Sequence, residues 1–99
     1  MLPFVALMFK TQPVPIPTSV GSYVMGDYHV ISWTQGGVGC ATAVYLQVDG
    51  TYELRDTLGI DVTTSNPGFV ADGMTAYYIG VRHFRGTRGS EMVTIAVGP

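Results

Sequence analysis

Charge is what this 99-residue chain has least of. Only 12% of its residues are Asp, Glu, Lys or Arg, and 46% are hydrophobic; a typical soluble domain carries about 25% charged residues. A domain of this length hides only about two-thirds of the surface of its extended chain. Unless Thr, Ser and Gly cover the remainder, some apolar surface is expected to be buried against something else. Cys40 is the one cysteine. That excludes an internal disulfide framework and zinc sites of the CxxC kind, and it fits assembly in a reducing compartment. Five basic residues against seven acidic ones give a net charge of −2, so no basic stripe for nucleic acid is expected. No run approaches the roughly 18–20 apolar residues that cross a bilayer, and no membrane insertion is expected. Lys10 follows the apolar opening run instead of preceding it, the wrong order for a secretory signal. A sustained 3.6-residue apolar period is lacking too, and with it any amphipathic helix.

What is present is a series of short β-rich runs punctuated by 13 glycines and six prolines. Residues 28–33 follow the turn-forming Gly26-Asp27. After the glycines of 36–39 comes a run over 41–48, then Asp49-Gly50, then a run over 51–54. Asp-Gly between two such runs predicts a hairpin, because both central residues of a type I′ turn need positive φ. A strand is predicted over 60–64, ended by Ser65-Asn66-Pro67-Gly68. Another covers 75–84, with Tyr77, Ile79 and Val81 toward the core and Tyr78, Gly80 and Arg82 away from it. Gly86 and Gly89 mark a loop, and 91–97 closes the domain. Six or seven strands at 8–12-residue spacing read as an antiparallel sandwich or barrel over residues 18–99, preceded by an apolar, proline-rich arm over 1–17.

Three stretches resemble the fibronectin type III domain and related immunoglobulin-like sandwiches. His29-Val30-Ile31-Ser32-Trp33 resembles the second strand, whose tryptophan packs in the core. Tyr45-Leu46-Gln47-Val48 with its Asp-Gly turn resembles the third strand and its hairpin. Val70-Ala71-Asp72-Gly73, followed by Tyr77-Tyr78-Ile79-Gly80-Val81-Arg82, is similar to the sixth-strand region, where an aromatic follows a turn glycine. The resemblance covers residues 20–98. Asp72 stands where the family has a proline, one extra residue separates Gly73 from Tyr77, and the first strand is poorly defined. The resemblance implies an all-β, antiparallel sandwich of about seven strands, with the arm as an appendage or an extra strand. It implies no particular function, since this architecture hosts many.

Candidates for chemistry are few. Trp33 shares a strand face with His29 and Ile31 and reads as core. His29 and His83 have no cysteine or carboxylate at ligand spacing, and Asp49, Asp56, Asp61 and Asp72 lack the alternation of a calcium loop. Gly36-Gly37-Val38-Gly39 lacks the Lys-Ser/Thr of a phosphate loop. Cys40 has no neighbouring base and reads as a structural thiol. No spacing selects a pair of carboxylates, so neither a catalytic site nor a cofactor is expected. Tyr52 and Tyr78 are the candidate exposed aromatics, able to hold a sugar or a peptide. Arg82, Arg85 and Arg88 gather three of the five basic residues into seven positions. Asp49, Glu53, Asp56 and Asp61 outnumber Arg55 upstream, which predicts one acidic and one basic edge suited to head-to-side docking or to an anionic partner.

In the arm, Val5, Leu7 and Phe9 alternate with Phe4, Ala6 and Met8, so a strand there is apolar on both faces. Pro13, Pro15 and Pro17 remove every second backbone donor and favour an extended connector. Phe4, Leu7, Met8 and Phe9 are expected to dock on a neighbouring subunit or on the far edge of their own sandwich. The leading functional expectation is a non-enzymatic structural module of a multi-subunit assembly, contacting copies of itself or other subunits. A bacteriophage virion component, for capsid decoration or in the tail and assembled in the host cytoplasm, fits that description. The alternative is a carbohydrate- or cell-surface-binding adhesion module, extracellular or at the cell surface. It would use Tyr52, Glu53, Tyr78 and the 82–88 hairpin, with a surface polysaccharide as the partner.

Overall fold

Eight strands build the domain: β1 (Thr18–Met25), β2 (Tyr28–Thr34), β3 (Ala41–Val48), β4 (Thr51–Leu58), β5 (Thr64–Val70), β6 (Tyr77–Arg85), β7 (Arg88–Gly89) and β8 (Val93–Val97). The structure, a computed structural model, describes residues 13–35 and 39–99. The arm residues Phe4, Leu7, Met8 and Phe9, and Gly36-Gly37-Val38, lie outside the described residues. One sheet has the order β1-β2-β5. The other runs β4-β3-β6, and β6 then pairs with both β7 and β8. Every pairing is antiparallel. β7 and β8 are two halves of one broken edge strand. At the break the Ser90 amide donates to the His83 carbonyl (2.9 Å), and the Ser90 hydroxyl accepts from the His83 amide (3.1 Å). A side-chain oxygen there replaces the missing ladder carbonyl, so the interruption leaves the His83 amide paired.

The Asp49-Gly50 turn forms as expected, with φ of 52° and 84°, joining β3 to β4. The core lies between the sheets, with Ile31, Trp33 and Phe69 from one and Val44, Ile79, Val81 and Val97 from the other. Burying each such side chain contributes about 1.5–3 kcal/mol. Trp33, Ile31 and His29 all face inward and are buried, as their alternation predicts. Cys40 is fully buried, a structural thiol. At one end of the sandwich the Tyr77 ring stacks on Phe69 (5.1 Å between centroids) and meets His29 edge-on (5.9 Å). Its hydroxyl donates to the Val70 carbonyl, 3.0 Å away and seven residues upstream.

Several boundaries differ from the sequence reading. The strand expected over 60–64 begins only at Thr64 and runs through Asn66-Pro67-Gly68 to Val70. Those residues read as a strand terminator, but β5 is an edge, where proline needs no ladder partner and an irregularity is tolerated. The register of β2 against β5 shifts there, between the His29 and Ile31 pairs. Ile60 instead lies 63% exposed in a turn that Asp61 closes with φ 67°. Gly80 sits on the outward face as expected but is buried, because the Met92 side chain occupies the space a Cβ would need. β4 extends to Leu58, four residues past the expected run.

The proline-rich residues 13–17 are packed on the domain. Val14 and Pro17 are buried. The Pro15 carbonyl lies 3.0 Å from Nδ1 of His83, itself fully buried. A carbonyl only accepts, so this ring nitrogen carries the proton.

Candidate functional site

The outward face of the β4-β3-β6-β8 sheet collects the aromatics. Tyr45 on β3 stands opposite Leu54 on β4 and Gly80 on β6. Tyr52 and Tyr78 each lie two residues along their strands from those positions and therefore share the face. Tyr78 is 52% and Leu54 56% exposed, while Tyr45 and Tyr52 are half-buried. Beside them an open groove of about 260 Å³ is lined by Ala41, Ala43, Tyr45, Leu54, Thr57 and Phe84. Small alanines on the central strand make its floor. Sequence reasoning missed Tyr45, Leu54 and Phe84 here. Their alternation with Val44, Leu46 and His83 was the available signal, but only the pairing of three strands shows that they adjoin.

The remaining predicted residues divide. Glu53 pairs with Leu46 and so faces away from Tyr52, and its carboxylate lies 3.4 Å from the Arg55 guanidinium. Arg82 faces outward, but it is tied down. Its Nε donates to the Ser90 carbonyl (2.9 Å), and its guanidinium sits 4.9 Å from the centre of the Phe84 ring. Arg85 and Arg88 stand opposite each other at the β6–β7 turn, on the other side of the hairpin from Arg82. The three arginines are thus not one basic patch, because alternate residues of a strand point to opposite faces. The acidic stretch and the basic hairpin do occupy opposite edges of the same sheet, β4 and β7. A second groove, of about 650 Å³, opens where Pro13, Val14 and Ile16 pass Arg88, Gly89, Ser90 and Glu91.

Asp72 is committed to its own loop. One oxygen accepts from the amides of Met74 and Thr75 (both 2.8 Å), and the other accepts from the Thr75 hydroxyl (2.7 Å). The Thr75 hydroxyl first, and then these amides, hold its pKa down at about 2. A depressed carboxylate contributes stability above its unfolded pKa, about 3.9, and loses it as pH falls through the folded value. Asp72→Asn is therefore expected to lower the urea midpoint at pH 5 and to converge with the parent protein near pH 2. Parallel curves across that range would refute the assignment.

Among the described residues no group of three or more His, Cys, Asp and Glu gathers where a metal could bind. No described helix is long and apolar enough to cross a membrane. The described surface offers a face for contact, with its histidines and cysteine buried in the core.

No family model matches the chain, and no curated protein matches it. Solved structures do. The crystal structure of FN3tt superposes with a TM-score of 0.70 at 20% identity, covering 87% of this chain and 95% of that one. A mutant of FN3tt gives 0.69 at 16% identity, covering 83% and 91%. The fold is fibronectin type III-like. The Tyr77 hydroxyl on the Val70 carbonyl is the tyrosine corner of such sandwiches, set at the turn into their sixth strand. The Clostridium perfringens spore cortex lytic enzyme SleM also matches, with a TM-score of 0.63 at 17% identity. That match covers 89% of this fibronectin type III-like chain but only 29% of SleM.

Proposed function

We propose that this protein is a non-enzymatic adhesion and scaffold module that binds a surface polysaccharide through the outward face of β4-β3-β6-β8. The observation carrying this reading is the placement of Tyr45, Tyr52 and Tyr78 with Leu54 on one solvent-facing sheet surface. Tyrosine offers a flat apolar ring for the faces of a sugar and a hydroxyl for its polar rim. The rigid sheet holds the rings in position without a loop to order on binding. A fold of this shape inside a spore cortex lytic enzyme supports the adhesion reading over a virion one; none of the three structures described is named as a virion protein. Such a module acts outside the cell or on its surface.

Binding of soluble cell-wall polysaccharides to the full chain, measured by calorimetry, tests this. Tyr78→Ala is expected to weaken binding at least about tenfold, equivalent to about 1.4 kcal/mol, with little change in melting temperature. Tyr28→Ala, on the opposite sheet, is expected to leave binding unchanged. Equal losses from both variants, or no polysaccharide bound by the parent chain, would exclude this face.

A further inference from the structure

The four sheet edges are not equally protected. β4 carries Glu53, Arg55 and Asp56, and its register shifts against β3 between Val44 and Tyr45. β5 contains Asn66-Pro67-Gly68 at a second register shift. The Asp56 carboxylate accepts from the Ser65 hydroxyl at 2.6 Å and ties these two edges together. Charges, prolines and bulges are the devices that stop an edge from templating another strand. On the opposite flank β1 lies beside β8. β8 turns Val97 into the core. β1 is different. Residues 21–25 pair with β2 in unbroken register and contain no charge, proline or bulge. Tyr23, Val24 and Met25 are 44%, 58% and 59% exposed. Val24 stands opposite the buried His29 and so faces the core side; Tyr23 and Met25 face the other way. This edge is apolar on both faces, and among the described residues none buries Tyr23, Val24 or Met25.

We propose that the free edge of β1 accepts residues 4–9 of a second copy of this chain as an added strand. The match is two-sided. Phe4-Val5-Ala6-Leu7-Met8-Phe9 has no charge and no proline, and its alternate residues are apolar on both faces. One set covers Val24, and the other continues the surface of Tyr23 and Met25, which extends across the sheet through Tyr28 to Val70. Main-chain hydrogen bonds supply the register, and the alternate side chains supply the apolar contact. The first sheet has no Asp, Glu, Lys or Arg on β1, β2 or β5, so nothing on it opposes an uncharged strand. The donor is a second copy because the chain's own path argues against self-docking. A hairpin joining 4–9 to 21–25 within one copy must reverse inside residues 10–20. Residues 13–17 are held there against β6, by buried Val14 and Pro17 and by the Pro15–His83 hydrogen bond. Residues 10–12 span only about 13 Å from Phe9 to Pro13. Reciprocal exchange closes a dimer, and one-way exchange propagates a chain.

Sedimentation equilibrium of the full chain tests this together with amide hydrogen exchange. Concentration-dependent association is expected, with the amides of residues 21–25 slowed only in the associated form. Val24→Lys, at an exposed position, is expected to weaken association at least tenfold with a melting temperature close to the parent. Ala6→Pro, which removes the backbone donor in the middle of the proposed added strand, is expected to do the same. A chain that stays monomeric to about 1 mM, the weakest affinity worth counting here, would overturn the proposal. So would association unchanged in Ala6→Pro, or a monomer whose 21–25 amides are already protected, which would place the arm on its own β1.

Discussion

His83→Ala is expected to destabilise the domain by about 3–4 kcal/mol, the range for truncating a large buried side chain. For a domain of this size that lowers the melting temperature by about 15–25 °C. The ring is fully buried at the end of β6, so its loss leaves a cavity. Its Nδ1–H donates to the Pro15 carbonyl, so its loss also leaves a carbonyl without a partner. His83→Phe separates the two. It preserves a ring, loses the hydrogen bond and also removes the buried Nε2, which has no partner among the described residues, at an expected net cost of about 1–2 kcal/mol. Thermal melts of the two variants, read with limited proteolysis over residues 13–17, check the account. If both cost the same, the ring's volume contributes nothing and the packing argument fails. If His83→Phe matches the parent protein and residues 13–17 stay protected, the Pro15 bond is not what holds that segment down.

Tyr77→Ala is expected to cost about 3 kcal/mol. It deletes the stacked contact with Phe69, the edge contact with His29 and the hydroxyl bond to Val70. Aromatic truncations in cores run to about 3–5 kcal/mol, and Tyr77 is only half-buried, which puts it at the lower end. Tyr77→Phe keeps both ring contacts and removes one hydrogen bond, for about 1 kcal/mol. Urea denaturation of the pair resolves the difference. A Tyr77→Phe variant as unstable as Tyr77→Ala would mean that the corner hydrogen bond, and not the rings, holds this end of the sandwich. A Tyr77→Ala variant indistinguishable from the parent would remove the corner from the account of stability altogether.

Local chemistry was legible wherever two or three adjacent residues carry the whole signal. The Asp49-Gly50 turn is such a case, since positive φ at both positions is a property of those residues themselves. The inward alternation of His29, Ile31 and Trp33 is another, because strand period alone decides which side a residue takes. Alternation also put Tyr78 outward, and sheet pairing then placed Tyr52, Tyr45 and Leu54 on the same face. The same alternation sets Glu53, the next residue of β4, on the face opposite Tyr52, as its pairing with Leu46 shows. Arg82, Arg85 and Arg88 read as a cluster by position and are split by the strand on which they lie.

The errors have a common cause. Asn66-Pro67-Gly68 is a turn signal in isolation, and β5 absorbs it only because β5 is an edge. β1 had no visible pattern, since an edge strand with Val24 and Met25 exposed on opposite faces shows no alternation of burial. The strand-rich character, the β3–β4 hairpin and the inward tryptophan were readable in the amino-acid order, because each follows from near neighbours along the chain. Which strands are edges, which aromatics share a face, and that Pro15 meets His83 across 68 positions were decided only by the tertiary structure. Those relations arise when distant segments pair and pack, and no local preference encodes them.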